Sequence, residues 1–219
     1  MRVLIHADEY YPTAQACSYR MQVFVDTFLK LGDEVTVVTS SANKANGMID
    51  RQLHKERIIY SPAIRMKKKT TIMRMINNLS FGITSIFSAI GAGRVDVVIT
   101  TSPPPLVSIP GWIIAKCKGA RLVYDVRDIW PDVALEMGSF TEESIFCKVF
   151  KRITGFMYKH ADVVTTVSPG KVEKIKGHVR SRPGRKSGPS NIDKVWLVGN
   201  GFDESVAKSD FDQEIINQY

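Results

Sequence analysis

The chain has 219 residues, 44% of them hydrophobic, and 30 Lys and Arg against 22 Asp and Glu give a net charge of +8. That length and apolar content suffice for one substantial core and exclude a disordered chain. The positive balance favours an anionic partner, whether phosphate, phospholipid or nucleic acid, without choosing among them.

The amino terminus carries an apolar stretch, Val3-Leu4-Ile5, too short for a signal peptide and soon followed by acidic residues, so it reads as a first strand. The turn Asp8 to Ser18 then leads into a helix whose free N–H groups can face a phosphate or sugar; Ser18 is either part of that contact or an N-cap. The turn has no Gly-x-Gly-x-x-Gly, and the second strand, Val35 to Val38, ends in Thr39-Ser40-Ser41 rather than an acidic residue, which argues against a nicotinamide or flavin dehydrogenase. Between these strands Met21, Phe24, Val25, Phe28 and Leu29 follow one helix face, with Gly32 placed to cap it.

From Arg51 to Arg74 eight basic residues (Arg51, Lys55, Arg57, Arg65, Lys67, Lys68, Lys69 and Arg74) face only Glu56, and the apolar stretch Ile76 to Gly93 follows. Its longest weakly polar run, Leu79 to Gly93, is about 15 residues, below the ~18 to 20 that cross a bilayer, so no spanning helix is expected. Cations beside an apolar helix suit an anionic membrane surface, which makes Lys67, Lys68, Lys69, Arg74, Phe81 and Phe87 candidate membrane contacts. The plainer reading packs Phe81, Ile83, Ile86, Phe87 and Ile90 on the sheet.

After the strand Val97 to Ile99, Thr101-Ser102-Pro103-Pro104-Pro105 predicts an extended backbone, either a stiff loop or one wall of a cleft in which Ser102 and Pro103 meet a substrate. The strand Leu122 to Tyr124 runs into Asp125-Val126-Arg127-Asp128-Ile129-Trp130-Pro131-Asp132, the densest charge cluster in the chain. Arg127 with Asp125 or Asp128 forms an internal ion pair; alternatively Asp128 or Asp125 takes a proton from a hydroxyl while Arg127 neutralises a diphosphate. Val163 to Val167 and Val195 to Val198 complete the strands, with His178 to Ser190 expected as a surface loop.

Apolar strands without in/out alternation, joined by helical crossovers, predict an α/β, doubly wound, mostly parallel Rossmann-like sheet, with ligands beyond the strands' carboxyl ends. Cys17, Cys117 and Cys147 form no paired motif and join no histidine cluster, so neither a zinc site nor a disulfide framework is expected, in keeping with a reducing compartment.

In order along the chain, Tyr10-Tyr11-Pro12, Leu29-x-x-Gly32-Asp33-Glu34-Val35, Thr101 to Pro105, Tyr124 to Asp132, Ala161 to Gly170 and Asn200-Gly201-Phe202-Asp203 resemble glycosyltransferase family 4. Within it the chain is most similar to bacterial members that add acetamido sugars such as N-acetylfucosamine during O-antigen or capsule assembly. The resemblance covers residues 1 to about 203 and implies a GT-B fold, two Rossmann-like domains facing each other across a cleft. Residues 1–199 are then the acceptor-side domain, and 200–219 the hinge with either the start of a donor-binding domain or a returning tail. It implies substrate contacts from Tyr11, Ser18, Ser102, Pro103, Trp130, Ser168, Asn200, Gly201 and Asp203, and catalytic roles for Asp128, Arg127 and Asp125. Two departures stand out: the glycine pair of many relatives' first turn is replaced by Ala14, Ala16 and Cys17, and their histidine before the loop Asp by Arg127.

The activity so implied is a retaining, metal-independent transfer from a nucleotide-diphospho-sugar, UDP-linked, to a polyprenyl-diphosphate-linked or polysaccharide acceptor at the cytoplasmic membrane face. It needs no cofactor and involves no nucleic acid, and the fragment alone is expected to be inactive. The alternatives are a sugar-nucleotide 2-epimerase of the same architecture and a noncatalytic membrane- or nucleic-acid-binding module, the last supported by basicity alone.

Overall fold

In the computed structural model, residues 1–10, 16–43, 55–64, 70–139, 141–180 and 193–200 are described. Their strands are β1 (Arg2–His6), β2 (Glu34–Ser40), β3 (Arg57–Ser61), β4 (Val97–Ser102), β5 (Arg121–Val126), β6 (Val163–Thr166) and β7 (Val195–Leu197). The helices are α1 (Ala16–Lys30), α2 (Thr71–Ser88), α3 (Pro105–Lys118), α4 (Asp132–Glu136), α5 (Ile145–His160) and α6 (Pro169–Arg180).

The strands form one parallel sheet in the order β3-β2-β1-β4-β5-β6-β7. Its faces are both covered, which is why the strand sequences do not alternate between apolar and polar. Val3 and Ile5 of β1 join Met21 and Val25 of α1 in one core, while Leu4 between them joins Ile114 of α3, Met157 of α5 and Ile175 of α6 in the other. Strands are added outward to one side of β1 and then, from β4, to the other, so α1 lies on one face and α2, α3, α5 and α6 on the other, as right-handed crossovers require. In open sheets of this kind ligands sit at that reversal, beyond the carboxyl ends of the strands.

Local chemistry sets the element ends. Thr70 Oγ1 accepts from Met73 N to start α2, and Ser144 Oγ accepts from Cys147 N to start α5. Gly32, at φ 81°, provides the left-handed turn after α1 and directs Asp33 into β2. Gly111 brings α3 against β4: a Cβ there would lie 2.5 Å from Thr100 Oγ1.

The basic segment departs from expectation. Residues 57–61 of it form the edge strand β3, and Glu56, the lone acid, is buried and accepts a hydrogen bond from Tyr10 Oη at 2.6 Å. Lys67, Lys68 and Lys69 lie outside the described residues, as do Tyr11, Gly201, Asp203 and the expected domain boundary after Asn200. α6 runs through Arg180, so the expected loop from His178 begins as helix; positions 181–190 are outside the described residues.

The apolar stretch divides along the faces of α2. Phe81, expected as a membrane contact, is instead fully buried, stacked on His6 with ring centroids 5.2 Å apart. The opposite face exposes Ile72, Ile76, Leu79, Ile83 and Phe87, and Ile90 follows in the 3-10 turn just past the helix, each 40% to 70% accessible. Helical periodicity separates Phe81 from this stripe. By length and composition Thr71–Ala92 suffices to cross a membrane, more than the run from Leu79 suggests, but its Asn77, Phe81, Gly82 and Ser85 side is buried in the domain.

Candidate functional site at the carboxyl rim

The strand register brings Thr101 of β4, Asp125 of β5 and Thr165 of β6 side by side just below the rim. Asp125 was expected at the reacting centre, but it is fully buried and bonded on every side. Arg20 of α1 donates Nε to Oδ2 at 2.9 Å and Nη2 to Oδ1 at 2.7 Å, and Thr165 Oγ1 donates to Oδ1 at 2.7 Å. The remaining Arg20 N–H groups donate to Val198 O at 2.9 Å, Gly199 O at 2.9 Å and Asn200 Oδ1 at 3.1 Å. All five donors of the guanidinium are thus used. Asp125 is the internal ion pair that the charge cluster contained, with Arg20 as partner rather than Arg127.

Arg127 and Asp128, by contrast, stand at the rim. Arg127 donates Nε to Thr101 Oγ1 at 3.2 Å and Nη2 to Pro103 O at 2.8 Å. Both acceptors are neutral, and among the described residues the carboxyl that its charge acts on is that of Asp8. Asp128, its side chain 43% exposed, accepts from Lys171 Nζ of α6 at 2.9 Å, and the same ammonium reaches the Arg127 carbonyl.

Asp8, just past β1 and partly buried, faces this group. Burial first, and then the charge of Glu9, push its carboxyl up to about 7, with Arg127 pulling the other way. Burial also pushes the Cys17 thiol up to about 12, which leaves it protonated and unsuited to nucleophilic work. Burial holds the His6 imidazole down at about 3, neutral between Thr100 Oγ1 at 3.2 Å and Ser85 Oγ at 2.9 Å, as a strut between β1, α2 and β4.

The other expected contacts are scattered. Ser18 is buried in the first turn of α1 rather than at its N-cap, because the helix begins at Ala16. Ser102 is buried below the rim, since its place in β4 turns its side chain inward. Pro103 offers its carbonyl to Arg127; of the expected extended proline run Pro104 is extended, while Pro105 already opens α3. Ser168 Oγ accepts from Lys171 N at 3.4 Å at the start of α6. Asn200 holds Arg20. Trp130 stands apart, in a groove of about 330 Å³ between the β5–α4 turn, α5 and α6.

Three residues that matter at the rim were not singled out in the sequence: Asp8, Arg20 and Lys171. Asp8 and Lys171 each lie one to five residues past a strand end, where position alone could have marked them; nothing in the α1 periodicity distinguishes Arg20. Among the described residues no group of His, Cys, Asp or Glu is arranged to hold a metal ion.

No protein-family profile and no curated sequence matches the chain. Solved structures do. Sucrose-phosphate synthase from Thermosynechococcus elongatus is similar over 94% of this chain and 49% of its own, with TM-score 0.66 and 13% identity. Anabaena HepE, in complex with UDP and glucose, is similar over 100% of this chain and 49% of its own, with TM-score 0.58 and 15% identity. The catalytic domain of starch synthase IV from Arabidopsis thaliana, bound to ADP and acarbose, is similar over 96% of this chain and 53% of its own, with TM-score 0.56 and 11% identity. The chain therefore spans about half the length of these structures. Its seven-stranded, all-parallel Rossmann-like sheet matches one half of the GT-B glycosyltransferase fold.

Proposed function

We propose that this chain is the acceptor-side half of a family 4 glycosyltransferase that moves a sugar, with retention, from a UDP-linked donor to a lipid-linked acceptor in O-antigen or capsule assembly. The observation that carries the reading is the rim. Among the described residues Arg127 hydrogen-bonds only neutral oxygens, and it stands with the Asp8 carboxyl and the Lys171 ammonium at the carboxyl rim, where an open α/β sheet takes its ligand. Two cations side by side suit the negative charge that gathers on a departing diphosphate. Asp128, and Asp8 with its carboxyl near 7, stand close enough in charge and position to accept a proton from an acceptor hydroxyl. This scheme uses no metal and no cofactor.

The exposed stripe of α2 supports a location on the inner face of the cytoplasmic membrane. Ile72, Ile76, Leu79, Ile83 and Phe87 repeat at steps of three or four along ~22 Å of helix, and Arg74 is exposed in the first turn, on the Phe81 side rather than in the stripe. Such a helix lies in the headgroup region and brings a lipid-linked substrate level with the rim.

The test is transfer of labelled sugar from UDP-sugars into the lipid fraction, using the full gene product with membranes. Arg127→Ala should lower transfer by about 100-fold or more, and Asp128→Asn by a smaller factor, in variants with unchanged melting. Label recovered only as an epimerised nucleotide-sugar, or full transfer by Arg127→Ala, overturns the reading.

A further inference from the structure

The groove around Trp130 is separate from the Arg127–Asp128 rim, and the proposed chemistry makes no use of it. Its volume, about 330 Å³, is at the lower end of ligand sites and suits one ring. On α5, Lys151, Thr154, Gly155 and Tyr158 line it at positions i, i+3, i+4 and i+7, so a single helix face forms the floor over ~10 Å.

The two ends of that floor differ. At one end Tyr158 is 5% exposed, and its hydroxyl has no hydrogen-bond partner among the described residues. A buried hydroxyl left without a partner is unfavourable, and a native fold keeps few of them unless something else supplies the bond. Burial also pushes its ionisation above the ordinary tyrosine range, so it stays a neutral donor. At the other end Lys151 is exposed and makes no ion pair among the described residues. The one acid of the groove, Asp132, is already held by Lys174 Nζ at 3.1 Å and His178 Nε2 at 3.3 Å. Between the ends stand apolar walls: Trp130, set edge-on to Phe150 with ring centroids 5.4 Å apart, and Pro131.

A ligand that answers all three features has an apolar ring face, a hydroxyl at one end and an anion at the other. From this we infer that the groove is a subsite for one acidic sugar unit, a pyranose bearing a carboxylate. The ring lies against Trp130, a ring hydroxyl bonds Tyr158, and the carboxylate pairs with Lys151. This rests on the reading that the acceptor is a glycan, and it places an acidic residue of that glycan beneath the β5–α4 turn.

The test is binding of methyl β-glucuronide to this chain, by calorimetry and by the shift of the Trp130 indole N–H resonance, with methyl β-glucoside and inorganic phosphate as comparison probes. The glucuronide should bind and move that resonance, the glucoside more weakly, and phosphate not at all. Lys151→Gln should weaken the glucuronide about tenfold and leave the glucoside unchanged. Tyr158→Phe should weaken both about fivefold while melting at the same or a higher temperature, because it deletes a hydroxyl with no partner. A silent Trp130 resonance, equal binding by the variants, or phosphate competing as well as the glucuronide overturns the proposal. Because no donor is present, failed sugar transfer leaves these results standing. Transfer to a neutral acceptor with no glucuronide binding removes the subsite and keeps the transferase.

Discussion

Asp125 and Asp128 lie three residues apart, yet their removal should have opposite weights. The Arg20 and Asp125 side chains are 3% and 0% exposed, so Asp125→Asn leaves a guanidinium charge buried without its counter-ion. Breaking one partner of such a pair costs about 3 to 5 kcal/mol. With a urea dependence of about 2 to 3 kcal/mol/M for a domain of this size, the unfolding midpoint should fall by roughly 1.5 M. Asp128 and Lys171 are 43% and 32% exposed, and a pair so hydrated contributes about 0.2 to 1 kcal/mol. Asp128→Asn should therefore move the midpoint by less than about 0.5 M. Urea titration followed by tryptophan fluorescence and far-ultraviolet circular dichroism measures both on the same chain. The double replacement Arg20→Met with Asp125→Leu should recover only part of the loss, since Val198 O and Gly199 O lose their donors as well. Equal midpoints for the two single variants would refute the assignment of Asp125 to structure and Asp128 to the rim.

Further outcomes follow from the same geometry. Asp8 holds its proton to about pH 7 in the fold, against about 3.8 in the free chain, so its contribution to stability is full below pH 4 and is lost as pH rises toward 7. Asp8→Asn should match the parent's melting temperature at pH 4 and exceed it at pH 8; a difference independent of pH argues against a buried acid. Gly111→Ala drives a Cβ into the Thr100 side chain, 2.5 to 3.0 Å away, and should cost about 1 to 3 kcal/mol by thermal melting. Phe81→Ala should destabilise by about 3 to 5 kcal/mol because it empties the seat against His6. Phe87→Ala, 67% exposed, should leave melting nearly unchanged and weaken sedimentation with anionic vesicles.

The architecture was legible because its signal is additive. Val3-Leu4-Ile5, Val35 to Val38 and Val163 to Thr166 are β-branched runs that mark buried parallel strands whatever their neighbours do. β3 was hidden because Arg57-Ile58-Ile59-Tyr60-Ser61 is a sheet-edge strand of mixed polarity inside a basic run. The loop after β5 was legible as a charge cluster, but the division of labour within it was not. Which carboxylate is sealed depends on Arg20, 105 residues distant, reaching across the sheet. Periodicity fails in the same way at Phe81 and Phe87: both are aromatic on one helix, and only the packing of α2 separates the one that is core from the one that meets solvent.

The guanidinium of Arg20 has a mechanical consequence. It grips the backbone at Val198 and Gly199 and the side chain of Asn200 from a seat fixed by Asp125, so this stretch is bolted to the sheet instead of trailing from it. The backbone at Val198 and Gly199 is thereby clamped to the sheet by a side chain that enters from the opposite end of the sequence.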